Sequence, residues 1–173
     1  MVLSAQTIRK RGIIAPFFER QVHLETGSSW GLSVAGYDIR IKQEAELAAG
    51  DFTLASSIEH FDMPTDILGV VADKSSLARR GIAVQNTIIE PGWRGYLTLE
   101  ITNHSLETVE LLAGQPIAQI VFHLLDQPTE IPYNGKYQDQ PDRPVEARKE
   151  LGFFNSLTIK QKSKALAYRD DDF

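Results

Sequence analysis

From Gly36 onward, apolar and polar positions alternate in short runs bounded by turn residues, the period-2 signature of half-buried strands. The runs predict strands at Tyr37–Ile41, Asp51–Ala55, Leu68–Ala72, Ile82–Gln85, Tyr96–Thr102, Thr108–Leu111 and Ile117–His123. Gly50-Asp51, Pro64-Thr65, Pro91-Gly92 and Ala113-Gly114-Gln115-Pro116 separate them. Many short strands with regular turns predict a mainly β fold (a sandwich, jelly roll or distorted barrel) and not a parallel α/β one. Ahead of the strands, Ser4–Gly12 predicts a short helix. Ser4 is placed to cap it, Ile8 faces inward, Arg9 to Arg11 occupy the last turn and Gly12 stops it. Ile13–Phe18 is apolar and broken by Pro16.

After Gln127 the chain is rich in Pro, Gly, Gln, Asp and Lys, which predicts an extended stretch that stays mobile until something orders it. Phe153–Tyr168 has some helix or strand potential, and Asp170–Asp172 predicts a solvated tail. The organisation expected is a β domain over residues 1–140 and an extension over 141–173, packed on the body or between subunits.

Composition narrows the function classes. At 173 residues the chain fits one domain with a real core. Its 42% hydrophobic and 24% charged residues are ordinary for a soluble protein. A net charge of −5 argues against nucleic acid or an anionic membrane as partner, and leaves a small anionic ligand open. With no cysteine there is no disulfide, no thiolate chemistry and no Cys-built zinc site, which suits a cytoplasmic protein. Met1–Arg11 does not read as a signal peptide, and no apolar run approaches the ~20 residues that span a bilayer.

Two stretches carry candidate chemistry. Lys74-Ser75-Ser76-Leu77-Ala78-Arg79 predicts a helical turn ending at Gly81, with Lys74 a point charge and Arg79 a planar fork for phosphate. Ser75 and Arg79, four apart, share a face. Spacing alone fits a capped, solvated basic turn as well. In Tyr96–Thr102 the alternation puts Leu97, Leu99 and Ile101 on a core face, with Tyr96, Thr98, Glu100 and Thr102 opposite. Glu100 is then either a wet surface acid or a pocket carboxylate tuned to move protons. Between them, Glu90-Pro91-Gly92-Trp93 predicts a tight turn. Tyr133-Asn134-Gly135-Lys136-Tyr137-Gln138-Asp139-Gln140 interleaves aromatic, basic and amide groups, as a segment that closes over a charged ligand would. His23, His60, His104 and His123 show no metal-ligand spacing.

The order of these blocks, with Gly36-Tyr37-Asp38-Ile39-Arg40 before them and Ala118-Gln119 after, resembles the dCTP deaminases of the dUTPase-like superfamily, from about Ile8 to Gln140. The resemblance implies a distorted β-barrel of jelly-roll kind, a homotrimer with sites between subunits, and zinc-free hydrolysis of dCTP to dUTP and ammonia, supplying dTTP synthesis. It implies Mg²⁺ accompanying the triphosphate and brings in dTTP as a candidate inhibitor. Carried onto this chain, Glu100 becomes the proton shuttle, assisted by Ser75 and Arg79. Lys74, Ser75, Ser76, Leu77, Ala78 and Arg79 form the phosphate turn; Thr98 and Leu99 hold pyrimidine and sugar. Gln119, Tyr133, Lys136 and Gln140 complete the nucleotide site. The competing readings are a dUTPase or a bifunctional dUMP-forming enzyme, and a non-catalytic nucleotide-binding regulator on the same fold.

Overall fold

The computed structural model describes residues 1–148, so Phe153–Tyr168 and Asp170–Asp172 lie outside the described residues. The chain opens with helix α1 (Ala5–Arg11), followed by strands β1 (Ile14–Ala15), β2 (Gln21–Val22), β3 (Ser29–Leu32), β4 (Tyr37–Arg40), β5 (Ala45–Leu47), β6 (Phe52–Asp62) and β7 (Ile67–Asp73). The one-turn helix α2 (Ser75–Ala78) comes next. After it run β8 (Ile82–Val84), β9 (Ile88–Ile89), β10 (Arg94–Asn103), β11 (Val109–Leu111) and β12 (Pro116–Leu124). One sheet has the order β2-β3-β4-β12-β7-β9, a second β1-β6-β10-β8, and β11 pairs with β5. Neighbouring strands are antiparallel throughout. The protein is mainly β, with a jelly-roll-like arrangement of curled sheets.

The alternating positions build the core. Tyr37, Ile39, Phe61, Leu99, Ile101, Ile117, Ile120 and Phe122 are completely buried. Removing one such side chain from water contributes about 1.5–3 kcal/mol. All seven predicted strands are present, with ends shifted by a residue or two except in β6.

Strand β6 continues to Asp62, well past the predicted Ala55, because its second half buries polar residues. Ser56, Ser57 and Glu59 are fully buried, and each is hydrogen-bonded. Gln43 receives the Ser56 N–H at 2.8 Å, and the Ser57 hydroxyl donates to the Glu59 carbonyl at 2.6 Å. Glu59 accepts from Arg40 Nε at 2.8 Å and from the Arg40 backbone N–H at 2.9 Å. Strands β1, β2 and β9, of two residues each, are too short for a period to register, and β3 and β5 were not predicted either. Helix α1 starts after Ser4 and stops at Gly12 (φ 63°) as expected, but the Ser4 hydroxyl makes no capping bond. It lies 3.3 Å from the Thr7 hydroxyl instead.

Candidate active site

The Lys74–Arg79 turn forms where β7 ends. Leu77 plugs it into the core, while Ser75, Ser76, Ala78 and Arg79 are exposed. Arg79 has no ion-pair partner among the described residues. Lys74 differs from the expected free point charge. Its Nζ bonds Asp38 Oδ2 at 3.0 Å, both side chains being largely buried. The Gln119 amide donates to the other Asp38 oxygen at 3.2 Å and to the Ser33 hydroxyl at 3.1 Å. Asp38, on β4, therefore ties the turn to β12. The sequence showed it only as part of a strand motif; a lone acid between Tyr37 and Ile39 was the available signal.

A separate cavity of about 560 Å³ opens along β10. Glu100 lies in it, in register with Leu54 of β6, which also lines the space. Its carboxyl is half-buried, and Oε2 is buried without a hydrogen-bond partner. Burial pushes the carboxyl above its ordinary range. The expected alternation along β10 breaks at Leu97. A bulge in the pairing with β6 between Tyr96 and Thr98 turns Leu97 toward the cavity wall beside Thr98. The bulge is held by the Leu97 N–H donating to the Ser57 hydroxyl at 2.9 Å. Leu99 stays in the core, and its side chain does not line the cavity.

The other wall comes from the Glu90–Trp93 turn and the chain after Gln127. Trp93 N–H closes the turn onto the Glu90 carbonyl at 3.0 Å, with Gly92 at φ 84°. The Trp93 ring packs beside Phe61 at 6.4 Å and donates through Nε1 to the Tyr137 carbonyl at 2.7 Å. The stretch expected to be extended and mobile is instead a strap fastened along β10. Tyr133 N–H bonds the Pro91 carbonyl, Tyr96 N–H the Gln140 carbonyl, and Gln138 Oε1 accepts from Arg94 N–H. Thr98 donates its hydroxyl to Gln140 Oε1 at 3.1 Å and accepts the Val145 N–H at 3.1 Å. Lys136 sits beyond the rim, bonded to the Arg148 carbonyl at 3.1 Å.

The structure thus brings Glu100, Thr98, Tyr133 and Gln140 together, and it groups Lys74 with Gln119 around Asp38. Within one chain it does not bring the two groups together, because none of Lys74–Arg79 lines the Glu100 cavity. That cavity has three acids (Glu90, Glu100, Glu146) and, among the described residues, no Lys or Arg in its wall. Sequence reading missed Leu97, Tyr137 and the Thr87–Ile89 edge as wall residues; Leu97 was hidden by the bulge.

Solved structures with this architecture define the class. The fold is the dUTPase-like one. It is shared with EIAV dUTPase (TM-score 0.50, 24% identity, 59% of this chain and 85% of that one). The dUTPase of Staphylococcus bacteriophage 80alpha shares it too (TM-score 0.52, 16% identity, 69% and 90%). Within that class the chain belongs to the dCTP deaminase-like family, whose profile matches residues 38–125. It is 36% identical over 162 residues to a dCTP deaminase of Acidobacterium capsulatum, covering 75% of this chain and 88% of the relative. It is 34% identical over 166 residues to that of Pyrococcus horikoshii, covering 87% and 100%.

Proposed function

We propose that this protein hydrolyses dCTP to dUTP and ammonia, with Glu100 as the proton shuttle and no zinc. The observation that carries the reading is the Glu100 carboxyl, half-buried with one unpartnered oxygen in a cavity, in a chain whose relatives are named dCTP deaminases. Burial raises its proton affinity toward the range useful near neutral pH. Glu100 takes a proton from water as the water oxygen bonds to C4 of cytosine. Glu100 passes that proton to N3 of the base; the proton left on the new hydroxyl then moves through the same carboxyl to the amino group as C4=O forms, the C4–N bond breaks and ammonia leaves. No Cys is present to form a Cys-built zinc site, and in this reading the Glu100 carboxylate activates the water.

The triphosphate needs cations that the cavity wall lacks. Arg79 of a neighbouring copy would supply a cation and Ser75 a hydroxyl beside it, in a homotrimer with shared sites. Phe52 and Ile88, large apolar residues left exposed at the cavity, suit cover by that neighbour. Lys136 and Gln140 would meet the nucleotide from the strap. Mg²⁺ enters as part of the substrate, held by phosphate oxygens whose charge it neutralises. Among the described residues no group of three or more His, Asp or Glu could hold a metal ion. Also among those residues, no helix is long and apolar enough to cross a membrane.

The test is incubation with dCTP and Mg²⁺, with ammonia, pyrophosphate and nucleotide products measured together. Ammonia and dUTP without pyrophosphate is the expected result. Ammonia with pyrophosphate and dUMP makes the enzyme bifunctional, pyrophosphate from dUTP alone makes it a dUTPase, and nucleotide binding without product makes it a regulator.

A further inference from the structure

The bulge opposite Leu97 is built on the β6 side. Pairing runs Tyr96 with His60 and resumes at Thr98 with Ser56, so Ser57, Ile58 and Glu59 stand opposite Leu97 alone. The ladder is interrupted there, and the Leu97 N–H needs another acceptor. Nearby β6 carbonyls are engaged elsewhere. The Ser56 carbonyl accepts the Lys42 N–H at 2.8 Å, and the Glu59 carbonyl accepts the Ser57 hydroxyl at 2.6 Å. The Leu97 N–H donates to the Ser57 hydroxyl oxygen at 2.9 Å. One fully buried side chain therefore closes the β6 bulge and stands in for the missing backbone acceptor. Beyond this point on β10, Thr98 and Glu100 line the cavity while Leu99 and Ile101 fill the core. Bulges recur beside active sites because they re-aim the side chains that follow. Ser56, the neighbour of Ser57 on β6, is equally buried, but its hydroxyl bonds Gln43 and not β10.

We propose that Ser57 is a positioning residue for the Glu100 site: its hydroxyl sets where β10 resumes after the bulge, and so where Thr98 and Glu100 stand. Ser57 touches no substrate, and its effect on rate rests on Glu100 being the proton shuttle. The kinetic test measures kcat and KM for dCTP deamination, per folded chain and well below every melting temperature. Wild type, Ser57→Ala, Ser57→Thr and Ser56→Ala are compared. A displacement of about 1 Å at a reacting group costs up to about 10²-fold, so Ser57→Ala should lower kcat about 10–100-fold. Ser57→Thr keeps the hydroxyl, and Ser56→Ala loses an equally buried one that does not reach β10; both should stay within about threefold of wild type. A second readout is free of turnover: titration of the Glu100 carboxyl followed by carbon NMR. Among the described residues, the other titratable groups in that cavity wall are Glu90, Tyr133, Tyr137 and Glu146, and every variant retains them. Burial holds the Glu100 carboxyl above its ordinary range. Ser57→Ala should bring it down toward that range, while Ser57→Thr and Ser56→Ala should leave it in place. Wild-type kcat or an unmoved titration in folded Ser57→Ala, or equal losses in Ser56→Ala, overturns the proposal. If Ser57→Ala does not fold, Ser57→Cys takes its place. It has a similar shape and only a weak S–H, and should lower kcat at least about fivefold; wild-type kcat in it is equally fatal. If the wild type releases no ammonia from dCTP, the deaminase reading fails by itself, and the titration still decides the role of Ser57.

Discussion

Glu100 and Glu59 are both carboxyls lifted by burial, and they differ in what surrounds them. Among the described residues Glu100 has no cation beside it, and its raised proton affinity expresses burial that its own backbone N–H only partly offsets. A group whose folded pKa lies above its unfolded value stabilises the fold at low pH, and that contribution is lost as pH rises through the folded pKa. Glu100→Gln removes the ionisation. It should lower ammonia release by about 10²–10⁴-fold while nucleotide binding persists. The same variant should be more stable than wild type at neutral pH, with the difference shrinking as pH falls through the raised folded pKa and gone once pH is below the ordinary glutamate range. Urea denaturation at several pH values checks this; near-wild-type turnover would remove Glu100 from its role. Glu59 is fully buried but has Arg40, whose guanidinium also lies 3.9 Å from the Trp30 ring centroid. Burial still outweighs the pairing and raises Glu59. Arg40→Met strands that acid, and should cost about 3–5 kcal/mol at neutral pH and less in acid, where Glu59 protonates. A loss under about 1 kcal/mol in denaturant titration would mean that water reaches Glu59.

Strand β10 carries the site because it is gripped on several sides: β6 and β8 flank it, and the strap adds a parallel bridge between Gly95 and Gln140. That bridge depends on glycine. Gly95 has φ 145°, and a Cβ there would lie 2.5 Å from the Gln140 backbone nitrogen. Gly95→Ala should cost about 1–3 kcal/mol and loosen the strap, so that trypsin cleaves at Lys136 roughly tenfold faster. Cleavage at the wild-type rate would show that the strap is held elsewhere. These elements were legible to unequal degrees. Alternation located β4, β7, β10 and β12 because one face of each is plainly apolar. It lost the second half of β6, where the inward positions are the polar residues Ser56, Ser57 and Glu59. Their partners, Gln43 and Arg40, stand 13 and 19 residues away, beyond the reach of any local period. Glu100 was legible as a lone acid in mid-strand, whereas the Lys74–Asp38 pair, 36 residues apart, was not. The bulge at Leu97 left no trace in the residue types, since leucine suits a core face and a cavity wall equally.

At the scale of the whole molecule, one chain holds the two halves of the expected site without joining them. The cavity of Glu100 contains acids and apolar groups, the unpaired Arg79 lies outside it, and a triphosphate cannot rest on carboxylates alone. If the halves meet across a threefold interface, each site takes Glu100 from one copy and Arg79 from the next. The variants Glu100→Gln and Arg79→Ala should then each be nearly inactive by themselves. Mixed one to one, unfolded and reassembled, they should regain activity, since some sites receive the intact acid from one variant and the intact guanidinium from the other. Random assortment of two copies at each interface makes that fraction about one quarter of the wild-type rate. Ammonia release before and after mixing measures it, with native mass confirming three copies. If the mixture stays as inactive as its parents while forming trimers, Glu100 and Arg79 act within a single chain. The strap or the turn would then have to move to bring them together.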